Sequence, residues 1–216
     1  LDVALGGQGA PLVRIGDELL FHDFENCLNL GGIANVSYNK KGKRLAFDIC
    51  PVNIVMNSLA EKLGAAYDKG GKFAASGKAN KALLEQLNKV EFNSLKAPKS
   101  LGIEYIEENY FPLIKASKVS VEDKLCTMVE HIAMQIASNL QKGKVLVTGG
   151  GAKNSFLISR LKHHYKGEVV VPANEVIDFK EAIIFAFLGV LRFRGDTNVL
   201  SSVTGAQRDS CSGDIY

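Results

Sequence analysis

Two glycine-rich turns stand out as places where the backbone could hold a ligand. The later turn follows the apolar stretch "VLVT" and precedes residues with helical spacing, and its three glycines are Gly149, Gly150 and Gly151. Glycine allows close approach to the backbone, and a helix N-terminus offers N–H groups and a positive dipole end to an anion. The earlier turn joins two short apolar stretches through Gly31 and Gly32. The two turns together favour a phosphate or nucleotide site.

Common phosphate-binding motifs fit the later turn poorly. Asn154 replaces the last glycine of a Gly-x-Gly-x-x-Gly pattern, and the next apolar stretch ends at Pro172 instead of an acidic residue that could bind a ribose. The chain has no Gly-x-x-x-x-Gly-Lys-Ser/Thr motif. A turn that is merely tight, without a ligand, therefore stays open as an alternative.

The spacing of apolar residues predicts the elements that position these turns. Residues 11–50 are interpreted as an antiparallel meander of short strands, which opens with a strand pair at Leu12–Ile15 and Glu18–Phe21 across a turn at Gly16 and Asp17. Helices follow, and the clearest begins after Ser120, a candidate N-cap, with an apolar stripe on one face. From residue 144, strands and helices alternate, which implies parallel strands. The fold class predicted is α/β, with a mixed sheet flanked by helices.

Two local predictions concern the segment between these halves. The stretch "YDKGGKFAASGK", residues 67–78, is interpreted as a glycine-rich loop. A helix that begins near Ile103 is expected to end at Pro112, because proline interrupts a helix interior.

Composition excludes several classes of function. The net charge is only +3, which does not favour a nucleic-acid partner. No apolar run reaches the roughly 18 residues that a membrane span needs. The four cysteines show no Cys-x-x-Cys spacing, so neither a zinc site nor a disulfide framework is predicted, and reduced cytoplasmic thiols are the expectation.

The glycine turns also resemble the nucleotide cleft of actin-like ATPases, in which an early hairpin faces the phosphates and a later strand–turn–helix holds the adenosine. Further stretches along the whole chain are "DVALGGQGAPLV", "NLGGIANVSY", "FDICPVNI", "YDKGGKFAASG", "PKSLG", "VLVTGGGAKN", "EAIIFAFLG" and "VTGA". In this order, they resemble the motifs of one family, the anhydro-N-acetylmuramic acid kinases.

This resemblance implies an actin/ribonuclease H-like ATPase lobe and a cytoplasmic enzyme that uses ATP and Mg²⁺. Water would open the 1,6-anhydro ring of the amino sugar, and phosphorylation at O6 would give N-acetylmuramic acid 6-phosphate in cell-wall recycling. The resemblance also implies a homodimer, and the apolar face of residues 121–140 could then be core or interface.

Site residues follow from the resemblance by position. The catalytic residues it implies are Asp2, as the proton-abstracting base, and Glu181, near the reacting centre. The nucleotide-binding residues it implies are Gly31, Gly32, Asn35, Gly149, Gly150, Gly151 and Asn154. The sugar-binding residues it implies are Gln8, Gly9, Asp48 and Asn53. No residue is assigned as a metal ligand.

The chain also departs from the family pattern. Small residues of the family's Thr-Gly-Pro-Gly-Asn stretch are replaced by Ile49, Cys50 and Val52, and an arginine is replaced by Ile103. An isoleucine cannot supply the charge or the forked donors of arginine. The first phosphate-binding motif of the family, Gly-Thr-Ser-x-Asp-Gly, is absent from residues 1–216. Residues 1–216 are therefore interpreted as the C-terminal lobe, with little or no kinase activity alone.

Two other functions remain open. One is a related sugar kinase of shifted specificity, which assays of several sugars with ATP would identify. The other is a non-enzymatic actin-like module that binds ATP, which predicts nucleotide-dependent partner binding without sugar-dependent release of ADP.

Overall fold

A computed structural model describes residues 1–215 of the chain. Its sheet contains five strands in the order β3-β2-β1-β4-β5, with β1, β2 and β3 antiparallel and β4 and β5 parallel to β1. The strands are β1 (Asn26–Leu30), β2 (Ile33–Lys40), β3 (Lys43–Pro51), β4 (Lys144–Thr148) and β5 (Glu168–Val170). The predicted mixed sheet is confirmed.

Helices cover both faces of this sheet. The α-helices are α1 (Arg14–Leu19), α2 (Asn53–Glu61), α3 (Lys72–Ser76), α4 (Lys81–Asn88), α5 (Ile103–Asn109), α6 (Phe111–Ala116), α7 (Val121–Asn139), α8 (Ser155–His164), α9 (Asn174–Arg194) and α10 (Ser201–Thr204). Short 3-10 turns occupy Val3–Leu5, Lys69–Gly71, Glu91–Ser94 and Gly150–Lys153.

Alternation along the strands separates a core face from a polar face. Leu28 and Leu30 of β1 and Val147 of β4 are fully buried in the main core, which packs against helices α2 to α8. Because side chains alternate along a strand, the neighbouring residues of β1 and β4 point to the opposite face of the sheet, toward α1 and α9. Asn29 and Thr148 therefore reach the face on which the smaller α1–α9 cluster lies.

The long helix α7 forms the centre of the main core. Ser120 caps it, because its side chain accepts a hydrogen bond from the Asp123 amide at 3.1 Å. The predicted apolar stripe is buried, including Leu125, Met128 and Ile132. This face of residues 121–140 is thus core and not interface.

The strand pair predicted at Leu12–Ile15 and Glu18–Phe21 is wrong, because this segment contains helix α1. Arg14 and Asp17, three residues apart, form an ion pair at 3.0 Å on one side of the helix. Gly16 is no turn residue: a Cβ there would lie 2.4 Å from the side chain of Ile184 on α9. Its lack of a side chain allows the two helices to pack closely.

Two further local predictions are also wrong. Residues 67–78 are not a plain loop, since they contain the 3-10 turn Lys69–Gly71 and helix α3. Pro112 does not end the helical region, because it occupies the first turn of α6. N–H groups in a first turn make no hydrogen bond within the helix, so proline is tolerated there.

Candidate nucleotide and phosphate site

Two cavities lie at the carboxyl ends of β1 and β4, one on each side of the later glycine turn. The α9 cavity, of about 390 Å³, has a polar wall formed by Arg14, Asn29, Asn35, Thr148, Lys180 and Glu181. The α2 cavity, of about 570 Å³, is lined by residues that include Asn53, Met56, Tyr67, Gly70, Gly150 and Asn154. Gly149 lines the first cavity and Gly150 the second, so the turn runs between them.

Packing against β1 requires two of the three glycines in this turn. Gly149 has a φ of 81°, and a Cβ there would lie 2.6 Å from Asn29 Oδ1 and 2.9 Å from the carbonyl oxygen of Leu30. A Cβ on Gly151 would lie 2.7 Å from the Cβ of Leu30. These two glycines are thus explained by the close approach of the turn to its own sheet.

Gly150 has a different environment. A Cβ on this residue would have Asn53 Nδ2, 3.7 Å away, as its nearest neighbour, so no atom of residues 1–215 requires glycine there for space. The residue lines the α2 cavity and has an ordinary φ. Gly150 is therefore the position in the turn where a missing side chain leaves room for a ligand.

The helix after the turn is less open to an anion than the sequence suggests. Gly150–Lys153 form a 3-10 turn before α8, and Asn154 caps α8 by accepting a hydrogen bond from the Leu157 amide at 3.0 Å. The expectation that the N-terminus of α8 offers free N–H groups is therefore wrong for the Leu157 amide. Asn154 nevertheless lines the α2 cavity, so its nucleotide-binding role stays a prediction.

The 3-10 turn Lys69–Gly71 closes the opposite side of the α2 cavity. Gly71 has a φ of 76°, and a Cβ there would meet Asn154 Oδ1 at 2.3 Å. The Ser155 hydroxyl donates to the carbonyl oxygen of Gly70 at 2.9 Å. This segment is thereby fixed against the start of α8.

The earlier glycine turn is fastened to the start of α2. The carbonyl oxygen of Gly32 accepts a hydrogen bond from the Val52 amide at 2.8 Å, and that of Gly31 accepts one from the Asn53 amide at 3.3 Å. Asn53 also donates from its side chain to the Leu30 carbonyl at 3.2 Å. Gly31 and Gly32 line neither cavity. They connect β1 with β2 at a position next to the two cavities.

Asn35 faces the α9 cavity after an irregularity in the β2–β3 pairing at Ala34 and Asn35. Its Oδ1 accepts a hydrogen bond from Arg14 Nη2 at 2.7 Å. The predicted residues Asn35, Gly149 and Glu181 are therefore brought to one cavity, whose wall also contains Arg14.

A buried carboxylate, Asp17, organises the charged wall of the α9 cavity. It pairs with Arg14 at 3.0 Å and with Lys180 at 2.6 Å, and it accepts a hydrogen bond from the Ser37 hydroxyl at 2.6 Å. Burial alone raises the pKa of the Asp17 carboxyl, but the two cations and the hydrogen bonds outweigh it and hold this pKa below its usual 3.8. Asp17 is therefore ionised at neutral pH.

Asp2 is buried at the N-terminal segment and does not line either cavity. Its carboxylate accepts hydrogen bonds from the Gly9 amide at 2.8 Å and from the Thr204 hydroxyl at 2.7 Å. The Gln8 amide donates to the Thr204 carbonyl at 2.9 Å. Asp2, Gln8 and Gly9 thus form one unit with the C-terminal "VTGA" segment.

Asp48 does not line either cavity, although it is the cross-strand neighbour of Asn35. Its carboxylate accepts hydrogen bonds from the Ser100 hydroxyl at 3.2 Å and the Leu101 amide at 2.9 Å, and so it anchors the "PKSLG" segment. The atypical residues around it, Ile49, Cys50 and Val52, are fully buried in the main core. Ile49 and Cys50 belong to strand β3, so these replacements lie in the core and not in the wall of either cavity.

Sequence reasoning missed five polar residues of the α9 cavity, namely Arg14, Asn29, Thr148, Asp178 and Lys180. Arg14 was missed because its segment was predicted to be a strand, although its spacing from Asp17 fits a helix. Asn29 and Thr148 could have been found from strand alternation, since each is a polar residue in an apolar strand next to a glycine turn. Lys180 precedes the predicted Glu181 but carried no signal of its own.

Residues 1–215 contain neither a helix able to cross a membrane nor a cluster of potential metal ligands. In this range, none of the helices combines the length and apolar character of a membrane span. The same range brings no three His, Cys, Asp or Glu residues together as a potential metal cluster.

The strand order and the flanking helices define the fold as an actin/ribonuclease H-like ATPase lobe, as predicted. One solved structure of this fold is the activator of the 2-hydroxyisocaproyl-CoA dehydratase from Clostridium difficile, which carries bound ADPNP. It is similar with a TM-score of 0.51 and 17% identity, over 85% of this chain and 66% of the other. At this identity, the likeness shows the fold alone.

Sequence comparison then defines the family. The model of the family described as anhydro-N-acetylmuramic acid kinase matches residues 1–216, and the chain belongs to this family. It is 36% identical to the anhydro-N-acetylmuramic acid kinase of Hahella chejuensis and 35% identical to that of Vibrio cholerae. Both alignments cover 100% of this chain but only 62% of the relative, so the chain spans about 62% of their length.

Proposed function

We propose that residues 1–216 form the C-terminal, ATP-binding lobe of a kinase that acts on 1,6-anhydro-N-acetylmuramic acid. The observation that carries this proposal is Gly150, which opens onto the α2 cavity without any packing need for glycine. Family membership supports the kinase class. Because the chain spans about 62% of its relatives' length, the activity is proposed for a polypeptide of the family's whole length.

The α2 cavity fits a nucleoside. Met56 offers an apolar surface, Asn53 and Asn57 offer amides, and Gly70 and Gly150 leave the backbone accessible from two sides. A site of mostly apolar walls with a few placed polar groups is typical of small-molecule binding. We propose that Gly31, Gly32, Asn35 and Gly149 lie toward the phosphates, and that Gly150, Gly151 and Asn154 lie toward the adenosine.

ATP supplies the phosphoryl group for O6 of the sugar. Mg²⁺ commonly binds through substrate phosphates, and no protein ligand is assigned to it here. The chain's own contribution would be to position reactants and to hold donors and cations where charge develops. Glu181, exposed on the wall of the α9 cavity, is proposed to lie near the reacting centre.

Asp2 is proposed to accept the proton of the water that opens the anhydro ring. Such a base needs an ionised carboxylate in a fixed orientation. The Gly9 amide and the Thr204 hydroxyl provide this orientation, because each donates to a different oxygen of the carboxylate. Gln8, Gly9 and Asp48 are proposed to stand near the sugar, whereas Asn53, which the resemblance also assigns to the sugar, lines the α2 cavity and is proposed to face the nucleotide. The product would be N-acetylmuramic acid 6-phosphate of cytoplasmic cell-wall recycling.

The test is ADP release with ATP, Mg²⁺ and the anhydro sugar. Residues 1–216 alone are expected to show little turnover. A chimera that carries residues 1–216 in place of the matching part of the Vibrio cholerae relative is expected to release ADP only when the sugar is present. Asp2→Asn in this chimera should lower kcat by about 100-fold or more, the scale of a lost general base.

Two outcomes would contradict the proposal. A folded chimera that binds ATP but shows no sugar-dependent ADP release would favour a non-enzymatic ATP-binding module. Full turnover by the Asp2→Asn chimera would remove Asp2 from the mechanism. Parallel assays with other amino sugars test whether specificity is shifted.

The homodimer also stays a proposal. The face of α7 is in the core, so an interface would have to use another surface. Helix α9 exposes Phe179, Ile183, Val190 and Phe193, with spacings of three or four residues between Ile183, Ala186, Val190 and Phe193. Sedimentation of the chain and of Phe193→Ser tests this surface: a dimer that the substitution dissociates supports it, and a monomeric parent chain contradicts it.

A further inference from the structure

The wall of the α9 cavity contains more buried positive than buried negative charge. The side chains of Arg14 and Lys180 are only 10% and 12% exposed, and that of Asp17 is 1% exposed. Both cations pair with the same carboxylate, each through a different oxygen. One of the two positive charges is therefore without a matched anion among residues 1–215.

Neighbouring charges do not supply the missing anion. Arg44 donates a hydrogen bond to the Ser37 hydroxyl, which contacts Asp17. The ion-pair partner of Arg44 is Glu18, at 3.1 Å. Asp178 lines the cavity and pairs with Lys153 at 2.5 Å. Glu181 also lines it, exposed and beyond ion-pair distance of every cation in residues 1–215.

The two cations are held in place rather than free to turn toward solvent. Arg14 donates from one terminal nitrogen to Asp17 and from the other to Asn35, while its buried Nε has no partner within residues 1–215. The Lys180 ammonium lies 2.6 Å from Asp17 and 5.2 Å from the ring centre of Phe21. Burying an unmatched charge is energetically unfavourable unless a partner of opposite charge binds.

We propose that Arg14 and Lys180, oriented by Asp17, bind the terminal phosphoryl group of the nucleotide in the α9 cavity. This inference rests on the proposed function, which places the nucleoside on the other side of the glycine turn. A phosphoryl group has the charge and the acceptor oxygens that a fixed guanidinium and an ammonium together recognise. Arg14 and Lys180 thus distinguish a triphosphate from a diphosphate.

The experiment compares the affinities of ADP and of its triphosphate analogue ADPNP, each with Mg²⁺, by calorimetry on the 216-residue chain. The parent chain is expected to bind ADPNP about 10-fold or more tightly than ADP, the scale of a charge-assisted hydrogen bond. Lys180→Met should bring this ratio close to one with little change in ADP affinity. Lys180→Arg should restore it, because the positive charge returns.

Lys144→Met is the matched control, since Lys144 is exposed and pairs only with Glu168 on the sheet edge. It should keep the parent ratio. Should Lys180→Met fail to fold, Arg14→Gln is measured in the same way.

An unchanged ratio in a folded Lys180→Met or Arg14→Gln variant would overturn the inference, as would a parent chain that binds ADP and ADPNP equally. Failure of the parent chain to bind either nucleotide would instead overturn the proposed function, and the inference with it.

Discussion

At the scale of single residues, the later glycine turn combines two different requirements. Gly149 and Gly151 are glycines because β1 passes too close for a side chain, whereas Gly150 faces an open cavity. The sequence could identify the turn, but it could not separate these roles, because they depend on the distance to Leu30. The interpretation as a tight bend thus accounts for Gly149 and Gly151, while the interpretation as a ligand site stays a prediction for Gly150.

This difference gives a direct prediction. Gly151→Ala should lower the free energy of unfolding by about 1–3 kcal/mol, the cost of overpacking a core position, because its Cβ would overlap Leu30. Gly150→Ala should leave stability nearly unchanged but weaken ADP binding. Urea denaturation and calorimetry on both variants test this; equal loss of stability in the two would contradict it.

At the scale of elements, local pattern predicted most of the sheet but failed around α1. The strands on either side of Gly31 and Gly32, the β2–β3 hairpin and the capped helix α7 were found from alternation, turn residues and the Ser120 cap. Helix α1 was missed because Gly16 suggested a turn. In the structure, position 16 requires glycine because the side chain of Ile184, far along the chain, packs against it. Five polar residues of the α9 cavity were missed, and three of them, Arg14, Asp178 and Lys180, lie on α1 and α9.

The packing of α1 on α9 can be tested with a pair of glycines. Gly16→Ala should destabilise the protein by about 1–3 kcal/mol, since its Cβ would meet Ile184 at 2.4 Å. Gly189→Ala, on the exposed side of α9 with no atom within 4 Å, should stabilise it by up to about 1 kcal/mol through helix propensity. Thermal unfolding of the two variants checks the opposite signs.

The contact between α7 and α4 predicts a dependence of stability on pH. His131 is fully buried, with Nδ1 2.7 Å from Asn88 Oδ1, and burial lowers its pKa from 6.5 to about 3. Between these values the unfolded chain binds a proton that the folded chain does not. The contribution of neutral His131 to the free energy of unfolding is therefore complete above pH 6.5 and is lost as the pH falls toward 3.

Denaturation at several pH values tests this sign. From about pH 7.5 to about pH 5, the parent chain should lose about 2 kcal/mol more of its unfolding free energy than His131→Gln, which does not titrate. His22→Gln, at an exposed position, serves as the control and should follow the parent chain. Parallel curves for the parent chain and His131→Gln would show that His131 is not the group responsible.

At the scale of the whole molecule, the sheet order brings distant motifs to one edge. β1 and β4 are parallel neighbours although more than a hundred residues separate them, and this places the two glycine turns side by side. Resemblance predicted this proximity, whereas spacing alone did not. The same resemblance assigned Asp2 as the catalytic base and Asp48 to the sugar, and neither residue lines either cavity.

The most direct test of the account is a titration of the 216-residue chain with Mg²⁺-ADP, followed by amide NMR. We predict saturable shifts concentrated around the α2 cavity, at Gly70, Gly150 and Gly151, which Gly150→Ala weakens. A titration without saturable shifts at these amides, or shifts confined to the remote face of α6, would contradict the claim that the glycine turn holds a nucleotide.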